Sequence, residues 1–318
     1  MICKNRCHLY DQMTRASTGT TRLDLNLIRV FVSIYETGSV TAAASRMFVT
    51  QPTVSYGLAK LREALHDPLF IRTADKMVPT AVGEATYRKF SSALVTIASA
   101  IEAPQQFDAQ TSTRRFRLAM SDIGELIFLP PIYARVASAA PQVEIEIVQA
   151  TIDEAAKWLA AGKVDLVIGN MQLAGEGIRR KGLFREHYEC LLRKGHPAAR
   201  PKLSLTRFVE ARHVMVTSPF SGHSLVEHAL RQHSVSRRIV MQILHFTILP
   251  QLLASSDLMA TVPSRVGQYF EQLAPLRSVP LPIEIEPFEV GMYWHEFQDD
   301  NPAHAWMRDL VDDALSRI

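Results

Sequence analysis

Residues 24–62 alternate apolar and polar positions with the period of an α-helix in three consecutive segments. Apolar side chains that recur every three or four residues give each segment one face to bury. Gly38 and Ser39 separate the first two segments, and Thr50 with Pro52 starts the third, as helix-capping preferences predict. We therefore expect three short helices. Their apolar positions are Leu27, Val30, Phe31 and Ile34, then Ala42, Ala43, Ala44 and Met47, then Val54, Leu58 and Leu61.

The pattern changes again after residue 65. The segment LFIRTADKMVPT predicts a short hairpin, and residues 80–102 predict a longer helix. In that helix Phe90, Leu94, Ile97 and Ile101 are spaced like a short coiled-coil seam. The polar, non-periodic residues that follow are typical of a linker. From there to the end strands and helices alternate, which is typical of α/β units with parallel strands.

These patterns divide the 318-residue chain into four parts. We expect a disordered extension at residues 1–22, a helical domain with a hairpin at 23–80, a linker helix and hinge at 81–112, and an α/β domain at 113–318. The α/β units fall into two sets, which predicts two lobes. Lobe 1 is expected at about 113–185 and 285–318, and lobe 2 at about 186–284.

Composition and charge narrow the class of protein. A hydrophobic fraction of 47% with 21% charged residues is that of an ordinary folded protein, and no apolar run is long enough to span a bilayer. Three cysteines are too few for a disulfide scaffold, and the N-terminal residues lack the apolar core of a secretory signal. We therefore expect a cytoplasmic protein without a membrane partner. A net charge of +3 is compatible with a polyanionic partner without demanding one.

The sequence holds no motif that is typical of an enzyme or a metal site. GxSxG, HExxH and phosphate-loop patterns are absent. His223, His228 and His233 recur every five residues, which spreads them around a helix instead of gathering them. Cys190 stands among apolar residues, where a cysteine is more often inert than redox-active. We therefore expect no catalytic residue, no metal and no cofactor.

The second and third predicted helices have the layout of a helix-turn-helix. On the outward face of the third helix, Gln51 can pair with adenine, the Thr53 methyl group suits thymine, and Ser55 can reach a base or a phosphate. The same pattern also fits a packing unit with a solvated polar face, and periodicity alone does not decide between the two. The weak surplus of basic residues would require binding as a dimer. The candidate DNA-binding residues are Ser39, Thr41, Thr50, Gln51, Pro52, Thr53, Ser55 and Tyr56, with Arg46, Lys60 and Arg72 as phosphate contacts.

The stretch LNLIRVFVSIYETGSVTAAASRMFVTQPTVSYGLAKLREALHDPLFIRT resembles the N-terminal winged helix-turn-helix of LysR-type transcriptional regulators. The segments SDIGELIFLPP, VDLVIGN, CLLRKGHP and HFTILPQLLASSDLMATVP resemble the effector domain of that family. The last segment is especially similar to the subgroup that senses aromatic compounds and nodulation signals. The resemblance covers roughly residues 23–315. Many relatives carry arginine where this chain has Tyr56, so the base preference expected there differs.

The resemblance implies an α/β multidomain protein with a winged helix-turn-helix, a linker helix and a two-lobed effector domain like a type-2 periplasmic binding protein. Its ligand would lie in the cleft between the lobes, where free N–H groups at helix N-termini favour an anion. Ser121, Asp122 and Thr217 could instead be only helix caps, and an Asp122 side chain facing the cleft would repel an anion. The candidate effector-binding residues are Ser121, Asp122, Ile123, Asn170, Thr217, Ser221, Gly222, Phe246 and Thr247.

We therefore expect a sequence-specific DNA-binding transcriptional regulator, not an enzyme, that a small aromatic or organic acid controls. Its expected partners are double-stranded promoter or operator DNA, the effector, RNA polymerase, and other copies of the chain as a dimer and then a tetramer. The dimer would form through the helix at 81–102, and the protein would associate with the nucleoid. Two alternatives stay open. One is a cytosolic small-molecule-binding protein or enzyme on the same two-lobed fold, and the other is a constitutive regulator with a vestigial cleft.

Overall fold

The computed structural model describes residues 24–73, 76–102, 107–171, 173–199, 202–217 and 223–316. The chain divides between Leu94 and Val95 into two compact units. The extension expected at residues 1–22 and part of the expected hairpin tip lie outside the described residues. Within the described ranges no helix is both long and apolar enough to cross a membrane.

The first unit consists of three short helices, a two-stranded hairpin and the start of a long helix. The hairpin strands are antiparallel, with Ile71 opposite Val78. The predicted helices and hairpin are therefore confirmed. Their bounds are α1 Leu25–Thr37, α2 Val40–Met47, α3 Gln51–Leu65, β1 Phe70–Arg72, β2 Met77–Pro79 and α4 Ala81–Glu102.

Capping side chains begin these helices largely where the sequence predicts. Asp24 and Ser39 accept hydrogen bonds from backbone N–H groups in the first turns of α1 and α2. Gly38 ends α1 with a left-handed φ of 64°, a conformation that costs glycine little. Thr50 precedes α3, but its hydroxyl bonds to the Thr53 hydroxyl at 2.8 Å and caps no backbone N–H group. Thr50 is therefore the N-cap residue of α3, as the sequence predicts, but its side chain makes no capping bond to the backbone.

The core of the first unit lies between α1, α3 and the hairpin, and it also takes in the first turns of α4. The Phe90 ring meets the Phe31 ring edge-on at 5.6 Å. Phe90 was expected in a coiled-coil seam, but this face of α4 turns toward the bundle, so that assignment is wrong. Ile97, seven residues further along α4, is 38% exposed.

The second unit holds two five-stranded sheets covered by helices. We call lobe 1 the sheet in the order β4-β3-β5-β12-β6 and lobe 2 the sheet in the order β11-β7-β10-β8-β9. The predicted two-lobed α/β fold is confirmed. The strands are β3 Arg115–Ala119, β4 Glu144–Val148, β5 Leu166–Gly169, β6 Ile178–Glu186, β7 Tyr188–Arg193, β8 Arg212–Val216, β9 Arg238–Ile243, β10 Leu258–Pro263, β11 Leu276–Pro280 and β12 Phe288–His295. The helices are α5 Asp122–Ala139, α6 Ile152–Ala160, α7 Leu205–Glu210, α8 His223–Gln232, α9 Leu249–Ala254, α10 Ser264–Leu273 and α11 Pro302–Leu315.

The chain crosses between the lobes twice. It first passes from β6 to β7 at His187, and it returns from β11 to β12 through residues 281–287. The rings of Tyr188 and Phe288, one from each crossing, pack with their centroids 4.8 Å apart. The two crossings are therefore neighbours and form a single junction.

Helix α5 carries apolar side chains for both lobes. Ile132 and Val136 are buried in the core of lobe 1. Ile123 and Ile127, nearer the N-terminus of the helix, pack against the core of lobe 2. The first turns of α5 therefore lie at the junction between the lobes.

Candidate functional site

One face of α3 is buried and the opposite face is polar and exposed. Val54, Leu58 and Leu61 are buried in the core of the first unit, as their spacing predicts. Ser55 is partly buried. The exposed residues of this helix include Gln51, Pro52, Thr53, Tyr56 and Lys60.

The polar side chains of this face are bonded to one another. Gln51 Nε2 donates to Ser55 Oγ at 3.0 Å, one turn along the helix. Tyr56 is 65% exposed, and Lys60 Nζ lies 5.9 Å from the centre of its ring. These weak, exposed contacts hold the side chains near one another and can be exchanged for contacts with a DNA partner.

A concave surface of about 420 Å³ lies between α2, α3 and the hairpin. It brings together five of the predicted DNA-binding residues, namely Ser39, Thr41, Gln51, Ser55 and Arg72. Arg62 and Lys76 also line it, and sequence reasoning left them out of the site. The Arg62 guanidinium donates to the Pro68 carbonyl at 2.8 Å, so it also fixes the turn after α3. The surface therefore combines hydrogen-bonding side chains with cationic ones.

The remaining predicted phosphate contacts lie beside this surface and are paired with acids. Arg46 Nη1 lies 2.7 Å from Glu36 Oε2, and Lys60 Nζ lies 3.5 Å from Glu63 Oε2. Exposed ion pairs of this kind are weak in water. A phosphate can therefore replace the acid as the partner of Arg46 or Lys60.

A small, partly open cavity of about 40 Å³ lies at the junction of the two lobes. Its walls come from α5, the end of β5, both crossings and the start of α10, and they are mainly apolar. At that volume it holds a few water molecules at most. The lining residues are Ser121, Ile123, Ile127, Phe128, Ile168, Gly169, Asn170, Met171, Phe184, Glu186, Tyr188, Pro263, Arg265, Val266, Phe288 and Val290.

Three of the predicted effector-binding residues, Ser121, Ile123 and Asn170, line this cavity. Ser121 is also the N-cap of α5, since its Oγ accepts from Gly124 N at 3.2 Å.

Four other predicted residues lie away from the cavity. Asp122 Oδ2 accepts from Phe246 N at 2.8 Å, which joins the start of α5 to lobe 2. Phe246 is buried in the core of lobe 2, and Thr247 is exposed in the short turn beside it. The Thr217 hydroxyl donates to the Ile243 carbonyl at 3.3 Å. Ser221 and Gly222 lie outside the described residues.

Sequence reasoning missed Glu186, the most strongly bonded group of the cavity wall. Its carboxylate accepts from the backbone N–H groups of His187, Ser264 and Arg265, and from the Ser264 hydroxyl. Arg265 Nη1 also donates to it at 3.2 Å, and the guanidinium lies 4.2 Å from the centre of the Phe184 ring. Glu186 therefore caps α10 of lobe 2 from the last residue of β6 in lobe 1. These donors compensate the negative charge of Glu186, so its repulsion of an anion in the cavity is reduced.

The polar groups that remain at the cavity are neutral hydrogen-bonding groups. Burial raises the pKa of the Tyr188 hydroxyl, the Asn170 side chain lowers it, and the charge of Glu186 raises it again. The net direction is upward, so the hydroxyl keeps its proton. The Asn170 side chain lies beside the Tyr188 hydroxyl, and its buried Nδ2 donates to no other described group. Because an amide nitrogen carries two hydrogens, one stays available for an acceptor on a ligand.

Within the described ranges no group of three or more His, Cys, Asp or Glu side chains could hold a metal ion. Cys190 is fully buried, and this burial raises the pKa of its thiol to about 12. A thiol with such a pKa carries almost no thiolate at neutral pH, which makes it a poor nucleophile and a poor oxidant sensor.

A winged helix-turn-helix with an exposed polar helix, joined to a two-lobed α/β domain with a junction cavity, defines the class of ligand-responsive DNA-binding regulators. Residues 25–84 match the family model described as "Bacterial regulatory helix-turn-helix protein, lysR family", and residues 109–316 match "LysR substrate binding domain". The chain belongs to the LysR family of transcriptional regulators.

Known proteins similar to this chain span almost its whole length. It is 35% identical over 294 residues to the HTH-type transcriptional activator NagR of Ralstonia sp., which covers 92% of this chain and 98% of NagR. It is 32% identical over 297 residues to Nodulation protein D 1 of Sinorhizobium fredii, which covers 93% and 92% of the two chains. The crystal structure of a probable transcriptional regulator from Pseudomonas aeruginosa matches with a TM-score of 0.61 at 28% identity, over 91% and 96% of the chains.

These matches confirm the resemblance to LysR-type transcriptional regulators. The expectation that the chain is a DNA-binding transcriptional regulator and not an enzyme is confirmed by the family to which it belongs.

Proposed function

We propose that this regulator binds a specific operator through α3 and that a small organic effector at the lobe junction controls its action. The observation that carries the proposal is the polar face of α3, which stays exposed beside a concave surface with cationic side chains. Base edges in the major groove require donors, acceptors and small apolar groups on the reading helix, and this face supplies all three.

The roles of the DNA-facing side chains follow from their positions. Gln51, Thr53, Ser55 and Tyr56 read base edges from α3. The groups that flank this helix contact the phosphate backbone and fix its register without reading sequence. These residues are Ser39, Thr41, Arg46, Thr50 and Arg72. Lys60 contacts a phosphate from within α3, and Pro52, which has no N–H group, offers only an apolar contact at the start of that helix.

The protein acts as a dimer through α4, and two dimers form a tetramer on DNA. Ile97 supports this proposal, because an exposed isoleucine on a 22-residue helix is well placed to pack against a second copy. A dimer places two copies of α3 in successive major grooves and doubles a modest charge attraction. The regulator works in the cytoplasm on the nucleoid. It activates transcription, as the name of its relative NagR suggests, and RNA polymerase is its proposed protein partner.

The effector is a small aromatic or organic acid with a flat apolar body. Four aromatic rings in the cavity wall suit such a body, and they belong to Phe128, Phe184, Tyr188 and Phe288. The second hydrogen of the buried Asn170 amide and the N-terminal turn of α5 suit an acceptor group or a carboxylate. The cavity is small, so we expect the lobes to move apart when such a molecule binds.

Footprinting tests the DNA-binding half of the proposal. The full-length protein is titrated onto the DNA upstream of its own coding sequence and onto a coding-region fragment of equal length. We expect protection confined to one upstream region, with half-sites about one helical turn apart. Uniform protection of both fragments at the same concentration would contradict sequence-specific binding.

Thermal unfolding tests the effector half. A panel of benzoic, hydroxybenzoic and aliphatic carboxylic acids is screened against the wild type and Asn170→Leu. A true ligand raises the melting temperature with concentration as RT ln(1 + [L]/Kd) predicts, and the variant loses most of the shift. Equal shifts in both proteins would place the ligand elsewhere.

A further inference from the structure

Two tyrosines join α1 to α4 in a reciprocal arrangement. The rings of Tyr35 in α1 and Tyr87 in α4 stack with centroids 3.6 Å apart and planes 7° from parallel. Tyr35 Oη donates to Glu84 Oε2 of α4 at 2.6 Å, and Tyr87 Oη donates to Glu36 Oε1 of α1 at 2.9 Å. Each helix therefore contributes one tyrosine and one glutamate, and each tyrosine bonds to the glutamate of the other helix.

The second oxygen of Glu36 extends this arrangement to the helix-turn-helix. Glu36 Oε2 lies 2.7 Å from Nη1 of Arg46, which stands in the last turn of α2. Arg46 is one of the residues that we propose to contact a phosphate. A continuous chain of bonds thus runs from the DNA-facing surface to α4.

Both tyrosine hydroxyls keep the protons that this arrangement requires. Burial is the largest cause of the raised pKa of Tyr35, which reaches about 12, and the bond to Glu84 raises it further. Burial and the charge of Glu36 raise the pKa of Tyr87 in the same way. Both hydroxyls are therefore donors at neutral pH. The two bonds to carboxylates are charge-assisted, so they are directional as well as strong.

We propose that Tyr35, Glu36, Glu84 and Tyr87 form a positioning clamp that sets the direction in which α4 leaves the DNA-binding unit. This inference rests on the proposed dimer through α4. In that dimer the direction of α4 fixes the distance between the two copies of α3, so the clamp selects the spacing of operator half-sites.

The length of α4 makes the spacing sensitive to small tilts. Its 22 residues span about 33 Å at 1.5 Å per residue. The clamp lies at Glu84 and Tyr87, so the part of α4 beyond it is about 25 Å long. A tilt of about 10° at the clamp therefore moves the far end by about 4 Å, which is slightly more than one base-pair step of 3.4 Å. A clamp that allowed such a tilt would accept operators with several spacings.

Removing the two hydroxyls tests the clamp without removing the rings. The double variant Tyr35→Phe/Tyr87→Phe keeps the stacked pair and loses both bonds to glutamate. Tyr133→Phe is the matched control, because Tyr133 is an exposed tyrosine on α5 in the other unit. The variant Glu36→Gln/Glu84→Gln keeps acceptor oxygens for both hydroxyls and serves as the conservative replacement.

The assay measures the affinity of each full-length protein for a set of duplexes that carry the same half-sites one or two base pairs closer or further apart. A duplex with one half-site measures base reading alone. We expect the wild type and Tyr133→Phe to prefer one spacing by about tenfold or more, because a shifted half-site costs at least as much as a mismatched base pair. The phenylalanine double variant should keep its single-half-site affinity within about twofold and lose most of the preference for spacing. The glutamine variant should retain more of that preference.

An unchanged spacing preference in the phenylalanine variant would overturn the clamp. An equal loss of affinity on every duplex, including the single half-site, would also overturn it, since it would indicate a general structural role. Failure of the wild type to prefer any half-site duplex over random DNA is a different result, and it would refute the proposed function. The single variants Tyr35→Phe and Tyr87→Phe repeat the test should the double variant be unfolded at the assay temperature.

Discussion

The substitution Gln51→Ala separates base reading from general DNA attraction. Gln51 is exposed in the first turn of α3, and its amide nitrogen donates to the Ser55 hydroxyl. Exchanging that exposed bond for a pair of bonds to adenine favours the complex. A bidentate side-chain–base pair contributes about 1–3 kcal/mol of discrimination, which is roughly a 5- to 150-fold change in Kd for each half-site. A dimer that reads two half-sites loses this contribution twice.

The assay compares Gln51→Ala with the wild type by fluorescence anisotropy at one fixed salt concentration, on the footprinted duplex and on a scrambled duplex. We expect weaker binding to the footprinted duplex and almost unchanged binding to the scrambled one, because phosphate contacts carry non-specific affinity. Arg72→Ala is the matched control. It should weaken both complexes alike and reduce the salt slope by about one for each phosphate that the protein no longer neutralises. An equal loss on both duplexes for Gln51→Ala would refute the base-reading role.

Three further predictions concern stability. Phe48 is 96% exposed and has a left-handed φ of 55°. Phe48→Gly should therefore raise the free energy of unfolding by about 0.5–1 kcal/mol, while Phe48→Ala should not. Equal urea midpoints for the two variants would contradict this. An added Cβ at Gly83 would lie 2.2 Å from the Leu69 carbonyl oxygen, so Gly83→Ala should lower the melting temperature, although this exchange normally stabilises a helix interior; an increase would show that the clash is absent. Burial lowers the pKa of His213 to about 4, so the unfolded chain takes up a proton below pH 6.5 that the folded chain does not. Stability from this group is therefore lost as the pH falls from 6.5 toward 4, by about 2 kcal/mol at pH 5, and His213→Gln should flatten the pH dependence of the urea midpoint. Identical pH dependence in both proteins would argue against a neutral buried His213.

Local patterns were sufficient to predict the DNA-binding unit. The spacing of Val54, Leu58 and Leu61 identifies the buried face of α3, and the exposed polar face follows by exclusion. Gly38 ends α1 and Ser39 begins α2, each through contacts within a few residues. Such short-range preferences are encoded in neighbouring residues, so one sequence contains them.

The cavity at the lobe junction could be predicted only in part, because its wall joins distant segments. Glu186 bonds to Ser264 and Arg265, which lie nearly eighty residues further along the chain. No periodic pattern among neighbouring residues predicts such a contact. Strand ends and helix caps did point to Ser121 and Asn170. The same reasoning chose Asp122, but its carboxylate bonds to the Phe246 backbone of lobe 2. The sequence places Asp122 in the first turn of the helix without showing which way its side chain points.

The seam of α4 shows a further limit of periodicity. Phe90 and Ile97 lie on the same repeating stripe, yet Phe90 packs against Phe31 inside the chain and Ile97 is exposed. An apolar stripe predicts that these side chains are buried, but it does not identify the surface against which they pack. The apolar positions of α4 that lie beside the other helices of the first unit are buried by them, and the positions further along α4 stay exposed.

Selection of bound duplexes from a random pool tests sequence-specific binding by α3 most directly. The full-length wild type and Gln51→Ala are taken through the same rounds at a fixed salt concentration, and the enriched sequences are read. We expect the wild type to enrich two half-sites related by twofold symmetry at one spacing, and Gln51→Ala to lose the preference at one position in each half-site. A wild-type pool that stays as random as the starting pool would contradict the account.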